Sequence, residues 1–533
     1  MSSKSTTKGF AILSAGAMLS KIVSLVYMPF LTLTLGKTGY GNYAYTYTIY
    51  TFIFSVANSG ISLAVSKTVA EYIAKGNKKD ANRVLKIAKY YMCIFGLILS
   101  VGLFLFSNPI AKISGYPSIS LALKFLSPSI LLTTLLSVYR GYFQGTENMI
   151  PTAVTQIVEQ LLNVAVSLIC AFALKPLGVD YAVAGATVGT GVGAFIAYLM
   201  IRKMYKKTRP ERLANEGRRV KKSEIVGKLK MYATPIVITS ALIYGGNIID
   251  GSIIKDSLII SGVAEKTAEG LYGMVNNYLQ LVLVPITFIT ALSQAIIPSI
   301  SAAMAVKDRK LVSQRVNLAI RITLMLAIPS AVAFTLLAEP VYKLMFPRSY
   351  EGYILMLRGA VLIIFWGIYL IENTILQSMN KLYVSTTFTV LGIIIKIILN
   401  RAIIPSIGIT GAVVSNIVCY LVPMLLATFY IKNKLKVSIQ WRKYIIKTGI
   451  SAIFMAVFVK IVYNSVYYVI SFLSVTLGIF VGLVVTAGVC GYIYFITMVA
   501  IGGFTEEDFE AIPRIVLRFI PRKLKARIKS YWH

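Results

Sequence analysis

Residues 90–108 read YYMCIFGLILSVGLFLFSN, nineteen consecutive positions without a charge. As a helix rising 1.5 Å per residue they span about 28 Å, close to the hydrocarbon thickness of a bilayer. The same nineteen-residue window, moved outward in both directions, finds about fourteen long apolar segments. They fall at 9–35, 42–64, 87–108, 121–144, 151–174, 180–202, 231–254, 269–300, 315–338, 354–378, 384–404, 409–431, 444–468 and 471–500. Lys and Arg crowd alternate connections between them, the signature of a multi-pass chain oriented by its basic loops. The expected fold is therefore an all-α integral membrane protein.

Composition agrees. Hydrophobic residues make up 57% and charged residues 14%, too little charge to cover a water-soluble surface. The net charge of +34 would in another chain suggest nucleic acid. Here a cytoplasmic N-terminus puts roughly forty of the 54 basic residues into cytoplasmic tails and loops, with about twelve between Arg202 and Lys230. Anionic headgroups account for the remainder, so membrane lipids are expected partners and nucleic acid is not. Both termini are expected in the cytoplasm, in an inner-membrane protein. Only Lys4 and Lys8 precede the first apolar stretch, which is too long for a cleaved signal and is expected to remain as the first helix. Cys93, Cys170, Cys419 and Cys490 lie singly in apolar segments and read as small apolar filler.

A weak internal repeat organises the helices. Gln144-Gly145, followed by Pro151-Thr152, matches Gln377-Ser378, followed by Val384-Ser385, at an offset of 233. Gly185-Ala186-Thr187-Val188 matches Gly411-Ala412-Val413-Val414 at an offset of 226. Helices 1 to 6 thus correspond to helices 7 to 12, giving two pseudo-symmetric six-helix lobes with a cavity expected between them. Chance matching of short apolar strings is the competing explanation. The expected division is a cytoplasmic tail at 1–8, lobes at 9–202 and 231–432 around a basic linker at 203–230, an extra helix pair at 443–500, and a basic tail at 501–533. That tail begins Thr505-Glu506-Glu507-Asp508 and carries Ile512, Ile515, Val516, Phe519, Leu524 and Ile528 among Lys and Arg. It fits an amphipathic helix on the inner leaflet, or a solvated basic tail.

Several polar residues fall where lipid would otherwise be. Lys21 sits near the centre of the first segment, about 18 Å of helix from either interface, where a cation costs on the order of 3 kcal/mol. It is expected to face a watery cavity, or to pair with a carboxylate such as Glu159 or Asp250. The fourth segment carries Thr133, Ser137, Arg140 and Gln144 on one helical face, and the fifth carries Thr152, Gln156, Glu159 and Asn163. Two such stripes suit a hydrated wall, although Arg140 lies near enough to a helix end to be an interfacial anchor. Later segments add Asn247 with Asp250 on one face, Asn276, Asn277 and Gln280, Glu372 and Gln377, and Lys396 with Asn400. Interhelical amide pairs contribute about 0.6 kcal/mol each, so about half of these could be structural.

The only histidine is His533, and neither GxxxxGK[ST] nor GxSxG occurs. No catalysis, metal or cofactor is expected. Work would be driven by the membrane potential, an ion gradient or consumption of product.

Gly60-Ile61-Ser62-Leu63-Ala64-Val65-Ser66-Lys67-Thr68-Val69-Ala70-Glu71-Tyr72, and Tyr139-Arg140-Gly141-Tyr142-Phe143-Gln144-Gly145 leading into Pro151-Thr152-Ala153, Gln156 and Glu159-Gln160, carry a family likeness. They resemble the stage V sporulation protein B and lipid II flippase branch of the multidrug/oligosaccharidyl-lipid/polysaccharide exporter (MOP) superfamily, over nearly the whole chain. The resemblance implies two lobes in a V that open alternately to the two membrane faces. It implies an undecaprenyl-pyrophosphate-linked saccharide as cargo, lipid II first, moved from inner to outer leaflet for peptidoglycan synthesis. Helices 13 and 14 would form a groove for the polyprenyl tail, and Lys21 falls where relatives hold the diphosphate. Lys21, Arg140, Gln144, Gln156, Glu159, Asn163, Asn247, Asp250, Asn277, Gln280 and Lys396 are the candidate cavity residues. The chain is expected to act as a monomer, with cell-wall synthesis proteins as further partners. The rivals are a flippase for another polysaccharide repeat unit, a cation or drug antiporter of the same superfamily using Asp250 or Glu159, and a polyprenyl-dependent glycosyltransferase, which would want a large acidic or histidine-bearing outer loop.

Overall fold

The computed structural model describes residues 3–208, 220–305, 308–379, 381–435 and 437–504. Their α-helices are α1 (Ser3–Ala74), α2 (Lys78–Ile113), α3 (Ser120–Gly145), α4 (Ile150–Leu174), α5 (Val179–Thr208), α6 (Lys222–Ile260) and α7 (Glu265–Ala305). They continue with α8 (Arg309–Leu336), α9 (Ala338–Met345), α10 (Tyr353–Gly359), α11 (Leu362–Ser378), α12 (Leu382–Ile407), α13 (Thr410–Leu435), α14 (Trp441–Ser471) and α15 (Val475–Ala500). Among the described residues there is no strand, and each apolar segment read from the sequence falls on helix to within a few residues.

Among the described residues twelve stretches are long and apolar enough to cross a membrane, and a bent pair makes a thirteenth. One of the twelve, Met18–Ala74, holds 57 residues, more than twice what one crossing needs. Gly36 breaks it with φ 71° and ψ −176°, a backbone setting that glycine adopts without penalty. Two crossings in α1 bring the number to fourteen. Segment 354–378, read as one continuous helix, is corrected: Pro347–Gly359 and Leu362–Ser378 are bent by 59°. The reason is a close approach at Gly359, whose carbonyl accepts a 2.9 Å bond from the buried Tyr278 hydroxyl. A Cβ at Gly359 would stand 2.6 Å from that phenol oxygen.

Caps and back-bonds explain the local boundaries. The Asn77 side chain accepts from the Asp80 N–H at the start of α2, and Asp308 accepts from Lys310 and Leu311 at the start of α8. Hydroxyls also bond back to carbonyls within the spans: Thr32 donates to Pro29 O at 3.0 Å and Thr239 to Pro235 O at 2.9 Å.

The chain groups into two compact units, residues 1–276 with 397–409, and residues 277–396 with 410–533. In the first, Val65 and Val69 of α1, Val84 and Leu85 of α2, Tyr139 and Phe143 of α3, Ile201 of α5 and Ile225 of α6 are buried together. In the second, Leu337, Met455, Val459 and Cys490 form a smaller core, with Tyr494 donating to Met325 O at 3.0 Å. Elsewhere large apolar side chains face outward, Phe104, Leu105 and Phe106 being 50 to 65% exposed. Water would not tolerate so long an apolar belt; lipid does. The expected amphipathic helix after Thr505 lies outside the described residues.

Candidate functional site

The first unit gathers most of the polar residues picked out by sequence. Gly16 of α1 lies against Ala153 of α4, 3.1 Å from its Cβ for an added methyl. Three crossings lie between these two helices, so they run parallel, and Lys21 stands about one and a half turns further on, at the level of Glu159. Its side chain is half-buried, between Ser20 and Ser24, whose hydroxyls return to backbone carbonyls at 2.9 Å.

Arg140 of α3 and Glu159 of α4 form an ion pair, Nη2 to Oε2 at 2.6 Å, with the side chains 19% and 22% exposed. The two polar stripes are therefore joined by charge, and Arg140 is tied to a neighbouring helix as well as lying near a helix end. Gln144 accepts from Ser62 of α1 at 3.3 Å. Asn163 accepts from Thr190 of α5 at 3.3 Å and Ser167 at 3.1 Å, and Thr190 shares a 2.5 Å bond with Tyr47. Asn163 thus ties α1, α4 and α5 together. Gln156 is half-buried, without a bond among the described residues.

Close backbone packing sets these positions. A Cβ at Gly141 would lie 2.5 Å from Ser62 O, one at Gly193 2.5 Å from Glu159 O, and one at Gly189 would strike Asn163 O. Small residues let the helices approach until side chains on neighbouring faces meet.

On α6, Asp250 is buried and takes a 2.5 Å bond from Asn400 of α12, whereas Asn247 is exposed. The shared face expected for Asn247 and Asp250 is therefore split between interior and surface. Asn276 accepts from Tyr40 at 3.4 Å. In the second unit Asn277 is buried and donates to Ser349 at 3.4 Å, Gln280 is half-buried, and Lys396 is buried. Glu372 is fully buried on α11 and accepts from Thr428 of α13, while Gln377 is exposed and bonded to Asn373.

The strongest charge cluster was not anticipated. Lys255, near the end of α6, is 1% exposed and lies 2.9 Å from Glu269 and 2.8 Å from Glu265 of α7. It also donates to Gly115 O, in the turn between α2 and α3, and stands 4.3 Å over the Tyr116 ring. The signal in the sequence is the four-residue connection Ser261–Ala264, which folds Lys255 back towards residues 265–270. At the opposite end of α6, Lys228 meets Glu71 of α1 at 2.8 Å, with Tyr232 bonded to the same carboxylate. Glu71 lies beyond the apolar part of α1, and these two bonds, Lys228 first, hold its carboxyl below the usual range.

Some fourteen crossing helices carrying interior polar stripes define a multi-pass membrane protein. Solved structures share the fold: the inward-facing conformation of a multidrug resistance MATE family transporter of the MOP superfamily is similar with TM-score 0.65, over 78% of this chain and 94% of that one, at 13% identity. Another MOP superfamily transporter, from Pyrococcus furiosus, is similar with TM-score 0.58 over 81% and 96% of the two chains, at 15% identity. Residues 6–304, more than half of the sequence, match the family described as polysaccharide biosynthesis protein, and the chain belongs to that family. Among its relatives, Lipid II flippase MurJ of Bacillus subtilis (strain 168) is 28% identical over 93% of this chain and 95% of its own. Stage V sporulation protein B of the same organism is 26% identical over 85% and 88%. The chain is thus a flippase or transporter of the MOP superfamily.

Proposed function

We propose that this protein flips a polyprenyl-diphosphate-linked saccharide, lipid II being the first candidate, from the inner to the outer leaflet, with both termini in the cytoplasm. What carries the reading is the likeness to the lipid II flippase along nearly the full length of both chains. The lobes at 9–202 and 231–432 would be the moving parts, and the pair α14 and α15 the seat of the polyprenyl tail.

The chemistry of the cargo is consistent with the residues. A sugar-diphosphate head loses water on entering hydrocarbon and needs replacement hydrogen bonds. Lys21 and Gln156, both half-buried in the first unit, are the groups assigned to the head. Glu159 is taken up by Arg140, and Asp250 accepts from Asn400, which leaves carboxylate-driven cation antiport the weaker reading. An inside-negative potential favours outward movement of an anion by about 2.3 kcal/mol per charge per 100 mV, so the potential itself could drive the step.

The test is leaflet-resolved labelling of lipid II in a flippase-depleted strain rescued by this chain. Rescue is expected with the wild-type chain and loss of rescue with Lys21→Ala at unchanged abundance, while Lys21→Arg keeps part of the activity. The family description supports one second reading, a flippase for another polysaccharide repeat unit. Failure to move lipid II, together with restored export of a different lipid-linked glycan, would establish it.

A further inference from the structure

The second unit contains a half-open cavity of about 320 Å³ where the end of α8, α9 and α10 meet α14. That volume is at the lower end for a small-molecule site. Its walls combine apolar Leu336, Leu337 and Leu357 with Glu339, Lys460 and Asn464, and the phenols of Tyr353 and Tyr463 stand at its edge. Lys460 is exposed, follows twelve uncharged residues of α14, and pairs with no carboxylate among the described residues. Glu339 uses Oε1 for Lys343 at 2.7 Å, an i to i+4 pair about half exposed on both sides and therefore easily exchanged. Its Oε2 has no bond among the described residues, and neither has the Asn464 amide.

The depth of the cavity points to its occupant. Trp441, with Arg442 and Lys443, marks a membrane interface at the start of α14. Lys460 is about 28 Å further along the helix, close to the 30 Å of hydrocarbon, so the cavity lies at the level of the opposite headgroups. Around α14, Ile453, Phe454, Val457 and Ile461 are 54 to 67% exposed and face lipid. A ligand entering here arrives from the bilayer with its apolar part attached.

We propose that this cavity is a binding site for a phospholipid whose headgroup carries both a phosphate and a primary ammonium, the ethanolamine class. Lys460 takes the phosphate. Glu339 Oε2 takes the ammonium, aided by Asn464 and a phenol, and Leu336, Leu337 and Leu357 cover the glycerol and upper acyl chain. A purely anionic headgroup would leave the Glu339 carboxylate facing like charge. A choline headgroup would bring no N–H donor to it. The assignment is independent of what the chain transports.

Native mass spectrometry of the purified full chain, delipidated and mixed with equal amounts of phosphatidylethanolamine, phosphatidylglycerol and phosphatidylcholine, tests it. Retention of one phosphatidylethanolamine about fivefold above the other two is expected, the ratio one additional half-exposed hydrogen bond supplies. Glu339→Gln should erase the advantage over phosphatidylglycerol, and Lys460→Ala should lower retention of all three. Both changes are at exposed side chains, and an unchanged elution profile and melting midpoint confirm that the variants are folded. Equal retention of the three lipids, stronger retention of phosphatidylglycerol, or a preference that survives both substitutions would overturn the proposal.

Discussion

Glu269→Gln removes one charge from the most enclosed ion cluster among the described residues. Lys255 and Glu269 are 1% and 5% exposed and 2.9 Å apart, whereas Glu265, the second partner, is 60% exposed. Removing one member of a buried pair costs about 3 to 5 kcal/mol, because the other charge stays behind without compensation. Glu265, Gly115 O and the Tyr116 ring still face Lys255 in the variant, which brings the expected loss to about 2 to 3 kcal/mol. Glu265→Gln acts on an exposed carboxylate and should cost less than about 1 kcal/mol. Lys255→Met leaves Glu269 buried and should cost about 3 kcal/mol, yet Lys255→Met combined with Glu269→Leu should return to within about 1 kcal/mol of wild type, since apolar side chains of similar volume replace a buried pair well. Helicity followed through an SDS titration in mixed micelles measures all four variants. Equal losses for Glu269→Gln and Glu265→Gln, or a double variant less stable than either single one, would refute the reasoning.

Gly41→Ala should prevent stable folding, because a methyl there overlaps the Glu269 carbonyl, while Gly227→Ala, which meets nothing within 4 Å, should be tolerated; yield of monodisperse protein distinguishes them. Arg140→Met should cost about 2 kcal/mol by stranding Glu159, and Glu159→Gln added to it should recover most of that loss in the same titration. For Glu71 the folded carboxyl lies below its unfolded value, so its contribution is complete above the unfolded pKa and disappears as pH falls through the folded one. Glu71→Gln should therefore flatten the acid side of the stability profile and leave the neutral region's slope alone, as thermal midpoints across pH 3 to 7 would reveal.

Hydropathy made the crossings legible because each is a run of apolar side chains, and even the division inside α1 coincides with the gap between segments 9–35 and 42–64. The bend between α10 and α11 was invisible to the same window. Both arms are apolar, and its cause is Tyr278, about eighty positions earlier, pressed against Gly359. Helical periodicity put Arg140 and Glu159 on polar faces, but only the packed helices show that the two faces are joined by an ion pair. Lys255 lies just past segment 231–254, and its partners come from α7 and from the turn before α3, which no local pattern brings together. Asn247 and Asp250 went separate ways for a similar reason: spacing fixes an angle around the axis, and the neighbours decide how wide the covered sector is.

Gly189 and Gly193 place the backbone of α5 directly on the backbone of α4, and Gly141 does the same for α3 against α1. Seams of this kind have no rotamers to rearrange, so each welded pair moves as a single plank. Flexure must then be confined to unobstructed joints. Gly36 is one: an added methyl there would meet nothing within 4 Å, so the glycine itself leaves room for the two arms of α1 to change their angle.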